Sequence, residues 1–456
     1  MTKRGKSIMG KYFGTDGIRG VANVELDAGL AYRAGFAAAT VLTKNLNRRA
    51  KIYIGRDTRI SGDMLEASLA AGICAAGADA ALLGVVPTPA VAYLTVAHQA
   101  DAGIVISASH NPFEHNGVKI FGSQGRKLSD QLEEEVERLI DEPGQYQPAA
   151  GPAVGRILRM EQSACREYVA HVAQTSGSLA GLRIAVDCAN GAACQTAPEL
   201  FRLLDADCDF LFCQPDGVNI NAGCGSTHLE ALTQKVQEGG YDIGVAFDGD
   251  ADRCLLVDET GQTIDGDQIM GVIAADMKEQ GALKGGLVAT VMSNLGLHAF
   301  LKEKGVEIAT TKVGDRFVLE RMIQDGWNIG GEQSGHVILS DYATTGDGEL
   351  TAATFLQILK RSGKKASQLA GQIRQYPQKT VNVPVPNDQK KTVGQRPEVQ
   401  AVEQEIARLF GQDGRILIRP SGTEALVRVM VEGKDDGLVK QMVQKAAKVI
   451  ESIYAQ

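Results

Sequence analysis

Short apolar runs alternate with longer helix-like stretches along most of this chain. Apolar residues three and four apart predict a helix, whereas a short apolar run rich in Val and Ile predicts a strand. The first group of segments reads strand, helix, strand, helix, strand, strand, at 51–55, 62–76, 79–83, from Pro89, 103–106 and 117–121. This alternation is typical of α/β units with parallel strands.

The same order of segments recurs twice more. The second copy occupies 182–187, 194–205, 208–212, 227–239, 242–246 and 254–257, and the third has strands at 287–291, 306–310 and 327–329. In every copy the third strand runs into a polar loop, at 107–112, 248–253 and 330–336. Because ligands of open α/β sheets bind at the carboxyl ends of strands, the repeat predicts that these loops carry the chemistry.

Two segments interrupt this pattern and indicate where domains meet. Residues 143–155 are rich in Pro, Gly and Ala, and 374–397 are polar with four prolines. A smaller α+β domain is predicted after the second, from a helix, two strands and a helix at 397–409, 415–418, 425–431 and 436–453. We therefore predict an α/β protein: three similar α/β domains with mixed, largely parallel sheets plus a smaller C-terminal α+β domain, at 1–150, 151–260, 261–370 and 371–456.

Composition and charge indicate which kinds of binding partner the protein lacks. The chain has 456 residues, 44% of them hydrophobic, and a formal net charge of −8. That charge, without a basic stripe, argues against a nucleic-acid partner. No apolar run suits a transmembrane helix or a signal peptide, so we expect a cytoplasmic protein with no membrane partner. The eight cysteines contain no Cys-x-x-Cys pair, which favours buried thiols over a zinc site or disulfides.

The first loop offers a hydroxyl nucleophile just past a strand. Ser109 precedes His110, and Lys119 lies in the following strand. A serine in a turn often only shapes that turn, but a strand-end position beside an imidazole favours Ser109 as a nucleophile. Ser107 is the rival, and its place nearer the strand predicts lower exposure. His110 and Lys119 are both candidates for handling the hydroxyl proton.

Three carboxylates, Asp248, Asp250 and Asp252, alternate in the second loop. An EF-hand calcium loop has the same spacing, but its required glycine is here Arg253 and an apolar strand follows. We therefore reject the EF-hand and predict an open carboxylate site for Mg²⁺, completed by a phosphate oxygen. A hydroxyl nucleophile and a hard cation are what phosphoryl transfer needs.

Two further loops suit a sugar phosphate. Glu332–His336 combines hydrogen-bond donors and acceptors next to glycines. Arg419–Glu424 and Arg428 supply two guanidiniums, two hydroxyls and a glycine, a combination that suits a phosphate. No P-loop motif is present, so a nucleoside triphosphate site of that kind is not indicated. A Gly-spaced loop at 14–20 carries Arg19, whose role the spacing does not give.

In five motifs, and in their order, the chain resembles the α-D-phosphohexomutases. The motifs are Gly14–Arg19, Ser107–Pro112, Asp248–Arg253, Glu332–His336 and Arg419–Glu424. The resemblance extends nearly from end to end and implies four domains around a central cleft. The sugar loop has Gln333 between Glu332 and Ser334, and in this it resembles the members of the family that act on glucosamine phosphates.

The resemblance also implies roles for individual residues. Ser109 would carry a phosphoryl group, and one Mg²⁺ per active site would be held by that phosphoserine and by Asp248, Asp250 and Asp252. Arg253, His110 and Lys119 would assist the transfer. Substrate would be bound by Arg19, Glu332, Ser334 and His336, and its non-reacting phosphate by Arg419, Ser421, Gly422, Thr423 and Arg428.

The implied reaction converts glucosamine 6-phosphate reversibly to glucosamine 1-phosphate, a small-molecule hexosamine phosphate that serves UDP-N-acetylglucosamine and cell-wall precursor synthesis. A sugar 1,6-bisphosphate is the intermediate, and Ser109 needs an activating phosphorylation. A phosphomannomutase or phosphoglucomutase with the same mechanism is the main alternative. A non-catalytic sugar-phosphate sensor and a phosphatase are the others. The stretch before Met9 falls outside the family pattern, so translation from Met9 is an alternative to Met1.

Overall fold

The computed structural model describes residues 10–14, 16–142, 144, 147–421 and 424–454. The chain divides into two compact units. The first extends to Met292 and continues over Val306–Gly371, and the second comprises Ser293–Gly305 and the chain from Gln372. The boundaries of the four domains predicted from the sequence are not tested by this division into two units and stay predictions. No helix in these ranges is long and apolar enough to span a bilayer.

The first unit contains three sheets. Their strands are β1 Phe13–Gly14, β2 Gly17–Val21, β3 Lys51–Arg56, β4 Asp79–Val85, β5 Ala102–Ile106, β6 His115–Gly122, β7 Ile157–Arg159, β8 Arg183–Asp187, β9 Asp207–Leu211, β10 Ile243–Phe247, β11 Cys254–Asp258, β12 Thr263–Ile264, β13 Gly286–Thr290, β14 Glu307–Thr311, β15 Ile329–Gly331 and β16 Val337–Leu339.

The helices of the first unit cover the parallel strands. They are α1 Ala28–Thr43, α2 Gly62–Ala75, α3 Thr88–Ala97, α4 Asp130–Asp141, α5 Glu161–Gln174, α6 Ala193–Leu203, α7 Glu230–Gly239, α8 Gly266–Glu279, α10 Asp315–Asp325, α11 Gly348–Ser362 and α12 Ala366–Ala370; α9, Leu295–Glu303, belongs to the second unit.

The predicted repeat is confirmed by the strand order. The three sheets contain the series β6-β5-β3-β4, β11-β10-β8-β9 and β16-β15-β13-β14. In each series the last three strands are mutually parallel, and the first is antiparallel to its neighbour. The first sheet adds β1 and β2 at one edge and β7 at the other, and the second adds β12. The central strands β5 and β10 are buried throughout, as expected for parallel strands covered on both faces.

Carboxylate caps fix the starts of two helices that follow the repeat loops. Asp265 precedes α8 and forms a reciprocal capping box with Gln268. Asp347 precedes α11 and accepts from the Leu350 N–H at 2.9 Å. The first N–H of α8, that of Gly266, donates to the Gln333 carbonyl at 3.0 Å. This last bond attaches the third loop of the repeat to the start of α8.

The second unit is an antiparallel sheet with two long helices. Its strands are β17 Gln378–Pro384, β18 Gly414–Pro420 and β19 Leu426–Gly433, in the order β17-β19-β18, and its helices are α9, α13 Pro397–Phe410 and α14 Asp436–Tyr454. The central strand β19 has buried valines at alternate positions, and these pack in one core with the buried residues of α13 and α14. The α+β prediction for this region is confirmed.

One sequence interpretation in this unit was wrong. The polar segment 374–397, which the sequence indicates as a connection between domains, contains β17 and a 3-10 turn at Lys390–Gln395. Most of β17 is exposed and it ends at Pro384, because an edge strand needs only one paired side and tolerates a terminal proline. Polarity and proline content therefore concealed an edge strand.

Candidate active site

The structure brings the first two loops of the repeat into direct contact. The Ser109 hydroxyl donates to Asp248 Oδ2 at 2.6 Å. Carboxylate oxygens of Asp248, Asp250 and Asp252 lie within 4.8 Å of one another. A hydroxyl from the first repeat and three carboxylates from the second thus face one small volume.

The Ser109 loop is held in a strained conformation. Ser109 has a φ of +52°, in the left-handed region that non-glycine residues seldom adopt. Its carbonyl accepts from Arg59 Nη2 at 3.1 Å and from Asn221 Nδ2 at 2.9 Å. Arg59 is itself 1% exposed and paired with buried Asp57. Charged and amide donors in the interior therefore fix the direction in which Ser109 presents its hydroxyl.

Exposure does not separate Ser109 from its rival Ser107. Ser107 is 0% exposed and Ser109 1% exposed, so the expected contrast in exposure is absent. Hydrogen bonding separates them instead. The Ser107 hydroxyl accepts from the Ser109 N–H at 2.9 Å, whereas the Ser109 hydroxyl faces the carboxylates. Ser107 thus shapes the turn that presents Ser109.

The three carboxylates have the character of a cation site. All are at most 7% exposed, and the Oδ1 atoms of Asp250 and Asp252 are buried without a hydrogen-bond partner. Burial raises the pKa of Asp248 well above its ordinary value, and repulsion from the other two carboxylates adds to the effect. Oxygen donors with unused lone pairs suit a hard divalent ion such as Mg²⁺. These residues therefore fit the predicted metal.

Lys119 lies inside the carboxylate group. Its ammonium is 2.7 Å from Asp250 Oδ2, 3.6 Å from Asp252 Oδ2 and 3.5 Å from Asp16 Oδ2. Burial lowers the pKa of Lys119, but these carboxylates outweigh burial and raise it above its ordinary value. Lys119 is therefore a cation in this arrangement. Thr88 also donates to Asp250 Oδ2, at 2.6 Å.

His110 and Arg253 form the other side of the group. Arg253 Nη1 donates to His110 Nδ1 at 3.2 Å, and that nitrogen is 3.3 Å from the Ser109 hydroxyl. Burial, with the positive charge of Arg253, lowers the pKa of His110 to about 4, so the imidazole is neutral at pH 7. Because Nδ1 accepts from Arg253, it is the unprotonated nitrogen of the neutral ring and can accept a proton, while the Ser109 hydroxyl gives its own hydrogen to Asp248.

The predicted residues of the third loop differ in burial. His336 is 3% exposed, with Nδ1 3.6 Å from Asp252 Oδ2. Burial lowers the pKa of His336, but Asp252 and the other carboxylates raise it overall. Glu332 is half-buried and accepts from the Gly314 N–H at 2.9 Å, whereas Ser334 is exposed. Gln333 Nε2 donates to Asp265 Oδ2 at 3.1 Å, so this side chain is tied to the start of α8.

A chain of ion pairs links the Gly-spaced loop at 14–20 to the third loop of the repeat, and no sequence pattern indicated it. Asp16 pairs with Arg19, and also with Lys127 at 2.6 Å. Lys127 reaches Asp315 at 2.7 Å, and Asp315 lies 3.7 Å from His336 Nε2. Asp16 had appeared only inside a Gly-spaced loop. Lys127 and Asp315 belong to no motif, and only a search for charges near the repeat loops would have found them.

The predicted phosphate residues lie in the second unit. Arg419 on β18 and Arg428 on β19 are opposite each other in the antiparallel register. Ser421 is 6% exposed and its hydroxyl accepts from the Glu424 N–H at 3.2 Å. Gly422 and Thr423 lie outside the described residues. Opposite residues of an antiparallel pair project from the same face of the sheet, so both arginines are placed to serve one dianionic phosphate; Arg428 Nη2 also lies 3.4 Å from Glu424 Oε2.

Comparison with known families gives matches along nearly the whole chain. Models of the phosphoglucomutase/phosphomannomutase family match in order: alpha/beta/alpha domain I at 10–147, domain II at 166–261, domain III at 265–376 and the C-terminal domain at 381–449. The phosphoglucosamine mutase of Acetivibrio thermocellus is 53% identical over 97% of this chain and 99% of its own length. That of Ruminiclostridium cellulolyticum is 51% identical over the same shares.

Solved structures show the same fold. A phosphoglucomutase/phosphomannomutase family protein from Burkholderia thailandensis superposes with a TM-score of 0.82 at 25% identity, over 96% of this chain and 97% of that one. The N-acetylphosphoglucosamine mutase of Aspergillus fumigatus, solved with GlcNAc-6P and magnesium, gives 0.69 at 18% identity over 97% and 96%.

Proposed function

Since the chain belongs to the phosphoglucomutase/phosphomannomutase family of α-D-phosphohexomutases, and is an enzyme, we propose that it interconverts glucosamine 6-phosphate and glucosamine 1-phosphate. The hydrogen bond between Ser109 and Asp248 is the observation that carries this proposal. It puts a hydroxyl nucleophile at a carboxylate site that suits a divalent ion. The curated relatives named as phosphoglucosamine mutases support the choice of sugar.

The proposed reaction has two transfers in opposite directions. Phosphorylated Ser109 gives its phosphoryl group to O1 of glucosamine 6-phosphate, the P–O bond to serine breaks, and a 1,6-bisphosphate forms. The bisphosphate turns round in the site. Its 6-phosphoryl group then passes to Ser109, which restores the phosphoserine and leaves glucosamine 1-phosphate. An enzyme without a phosphoryl group on Ser109 cannot start this cycle, so a first phosphorylation is required.

Asp248, Asp250 and Asp252, with the phosphoserine, would hold one Mg²⁺. Bound there, Mg²⁺ would supply positive charge to the transferring oxygens. Lys119 and Arg253 are fixed cations at the same place and would stabilise the equatorial oxygens in the transition state. Of the two candidates for taking the proton from the attacking sugar hydroxyl, His110 is neutral and would be able to accept it, whereas Lys119, held as a cation by the carboxylates around it, would act as a hydrogen-bond donor.

Substrate binding is assigned to two groups of residues. The sugar hydroxyls and amine would be hydrogen-bonded by Glu332, Ser334 and His336. Arg19 is assigned to the same group. Arg419, Ser421, Gly422, Thr423 and Arg428 would bind whichever phosphate is not reacting. In the course of the cycle this second group would bind the 6-phosphate at one step and the 1-phosphate at the other. Its donors therefore have to bind a phosphate at either position of the sugar ring.

The product would be a hexosamine 1-phosphate, the form that nucleotide-sugar synthesis consumes. We therefore assign the reaction to the supply of UDP-N-acetylglucosamine and cell-wall precursors, in the cytoplasm. The main alternative is a phosphomannomutase or phosphoglucomutase, because the family to which the chain belongs includes both activities in its name.

A substrate comparison with one variant tests the proposal. Purified enzyme is assayed on glucosamine, glucose and mannose 6-phosphates, with Ser109→Ala alongside and Ser163→Ala, an exposed serine of α5, as control. We expect the highest kcat/KM on glucosamine 6-phosphate and no turnover from a folded Ser109→Ala. A preference for mannose or glucose 6-phosphate would support the alternative, and full activity in Ser109→Ala would remove the phosphoserine mechanism.

A further inference from the structure

Three cysteines that are distant in sequence meet beside the catalytic loops. Cys188 follows β8, Cys194 lies in the first turn of α6, and Cys213 follows β9. Their sulfur atoms all lie within 4.8 Å of one another. The spacing of these cysteines forms no metal-binding motif, so the sequence favoured isolated thiols. The cluster arises because β8, β9 and α6 end or begin at the same edge of the second sheet.

We propose that Cys188, Cys194 and Cys213 form a binding site for a thiophilic divalent ion of the zinc class, separate from the carboxylate site. Thiolates select soft and borderline ions, whereas Mg²⁺ prefers oxygen, so the two sites differ in ligand chemistry. In tetrahedral coordination with bonds of about 2.3 Å, the sulfurs stand about 3.8 Å apart. The cluster needs to close by no more than about 1 Å to reach that spacing.

The surroundings of the sulfurs support this assignment. All eight cysteines are free, Cys188 is buried, and Cys194 and Cys213 are partly exposed. The ion therefore has an entry path, and a solvent water can complete four-coordination. Because a cysteine binds metal as the thiolate, binding would displace the thiol protons of the cluster.

The segment that joins two of these cysteines also supports both catalytic loops. The Ala189 carbonyl accepts from the Asn221 N–H at 2.9 Å, and the Asn221 side chain holds the Ser109 carbonyl. The Ala192 N–H donates to the Gly249 carbonyl at 2.8 Å. A methyl group on Gly191 would stand 2.4 Å from the same Gly249 oxygen. An ion bound to Cys188 and Cys194 would fix the segment between them. Because this segment packs tightly against the aspartate loop, a shift in it would also move that loop.

Metal content tests the site without reference to the reaction. The full chain is dialysed against Zn²⁺ with Mg²⁺ in large excess, so that the carboxylates are occupied, and bound zinc is measured. We expect a thiol-dependent zinc ion in the wild type and in Cys208→Ser, which changes a partly exposed cysteine outside the cluster. Cys213→Ser and Cys194→Ser should lose it. Equal zinc in the wild type and in whichever of these two variants folds would overturn the proposal.

Two further measurements sharpen the result. With Co²⁺ as probe, we expect a thiolate-to-cobalt charge-transfer band in the wild type and in Cys208→Ser that Cys213→Ser lacks, and its persistence in Cys213→Ser would contradict the assignment. The second measurement is the turnover number, and its use rests on the proposed function. We expect added Zn²⁺ to change the turnover number of the wild type and to leave that of Cys194→Ser unchanged. An equal response in both would refute the link to the catalytic loops, whatever the zinc content shows.

Discussion

The carbonyl oxygen of Ser109 lies directly against Gly249 of the aspartate loop. A methyl group built on Gly249 would stand 2.6 Å from that oxygen, well inside van der Waals contact. The nucleophile loop and the metal loop therefore touch through their backbones at the point where their functional side chains meet. Only a residue without a side chain permits this approach.

Replacement of Gly249 by alanine should separate the two loops. The closest atom to the added methyl group is a backbone oxygen, which cannot rotate away as a side chain can, so Ser109 and Asp248 must move apart by a sizeable fraction of an ångström. We expect kcat to fall by on the order of 10²-fold, because misplacement of a reacting group on this scale is costly. Gly394→Ala is the control, since an added methyl group there meets nothing within 4 Å. Equal kcat in both variants would argue against the close approach.

Loss of a guanidinium in the second unit should affect binding more than chemistry. Arg419 and Arg428 face each other across β18 and β19, where a charge-assisted bond to phosphate is worth about 1.5–3 kcal/mol. We expect Arg419→Ala to raise KM by roughly 10- to 100-fold with a smaller change in kcat. Arg408→Ala, on the exposed face of α13, should leave both constants unchanged. A KM for Arg419→Ala equal to that of the wild type would refute the phosphate assignment.

The cap of α11 should make stability depend on pH. Asp347 is 2% exposed and accepts from the Tyr168 hydroxyl and the Leu350 N–H, both at 2.9 Å. Burial raises the pKa of Asp347 to about 6, above the unfolded value of about 3.9. The folded state thus holds this proton more tightly. The stabilisation is complete below about pH 4 and is lost as the pH rises through about 6.

Asp347→Asn should remove this dependence while keeping an oxygen at the cap. The difference in unfolding free energy, variant minus wild type, should grow between about pH 4 and pH 7 by on the order of 2–3 kcal/mol. Urea unfolding over that range measures it, with exposed Asp205→Asn as the matched control. Parallel pH profiles for the wild type and Asp347→Asn would contradict the assignment.

Sequence patterns predicted the repeat because its strands are buried on both faces. The runs that became β5 and β10 are entirely buried and almost entirely apolar, and each ends where a polar loop begins. The contact between Ser109 and the aspartates followed from the same topology, because all three loops occupy one position in the repeat. The edge strand β17 was missed because it is mostly exposed and therefore lacks an apolar signature.

Residues that act through tertiary contacts could not be predicted in the same way. Lys127 and Asp315 meet only because α10 begins beside the first sheet, and neither residue has a periodic or motif context. Asn221 supports Ser109 from a loop more than a hundred residues later in the chain. Such partners are specified by the assembled fold, which local sequence patterns do not encode.

Transfer of a phosphoryl group to Ser109 is the central claim, and it can be observed directly. Enzyme treated with phosphatase and then freed of it is incubated with glucosamine 1,6-bisphosphate and Mg²⁺, and its intact mass and peptide map are recorded. A gain of one phosphoryl group on the peptide that contains Ser109, absent in Ser109→Ala, is the predicted result. Turnover of glucosamine 6-phosphate by an enzyme that gains no phosphoryl group, or gains it on another residue, would contradict the account.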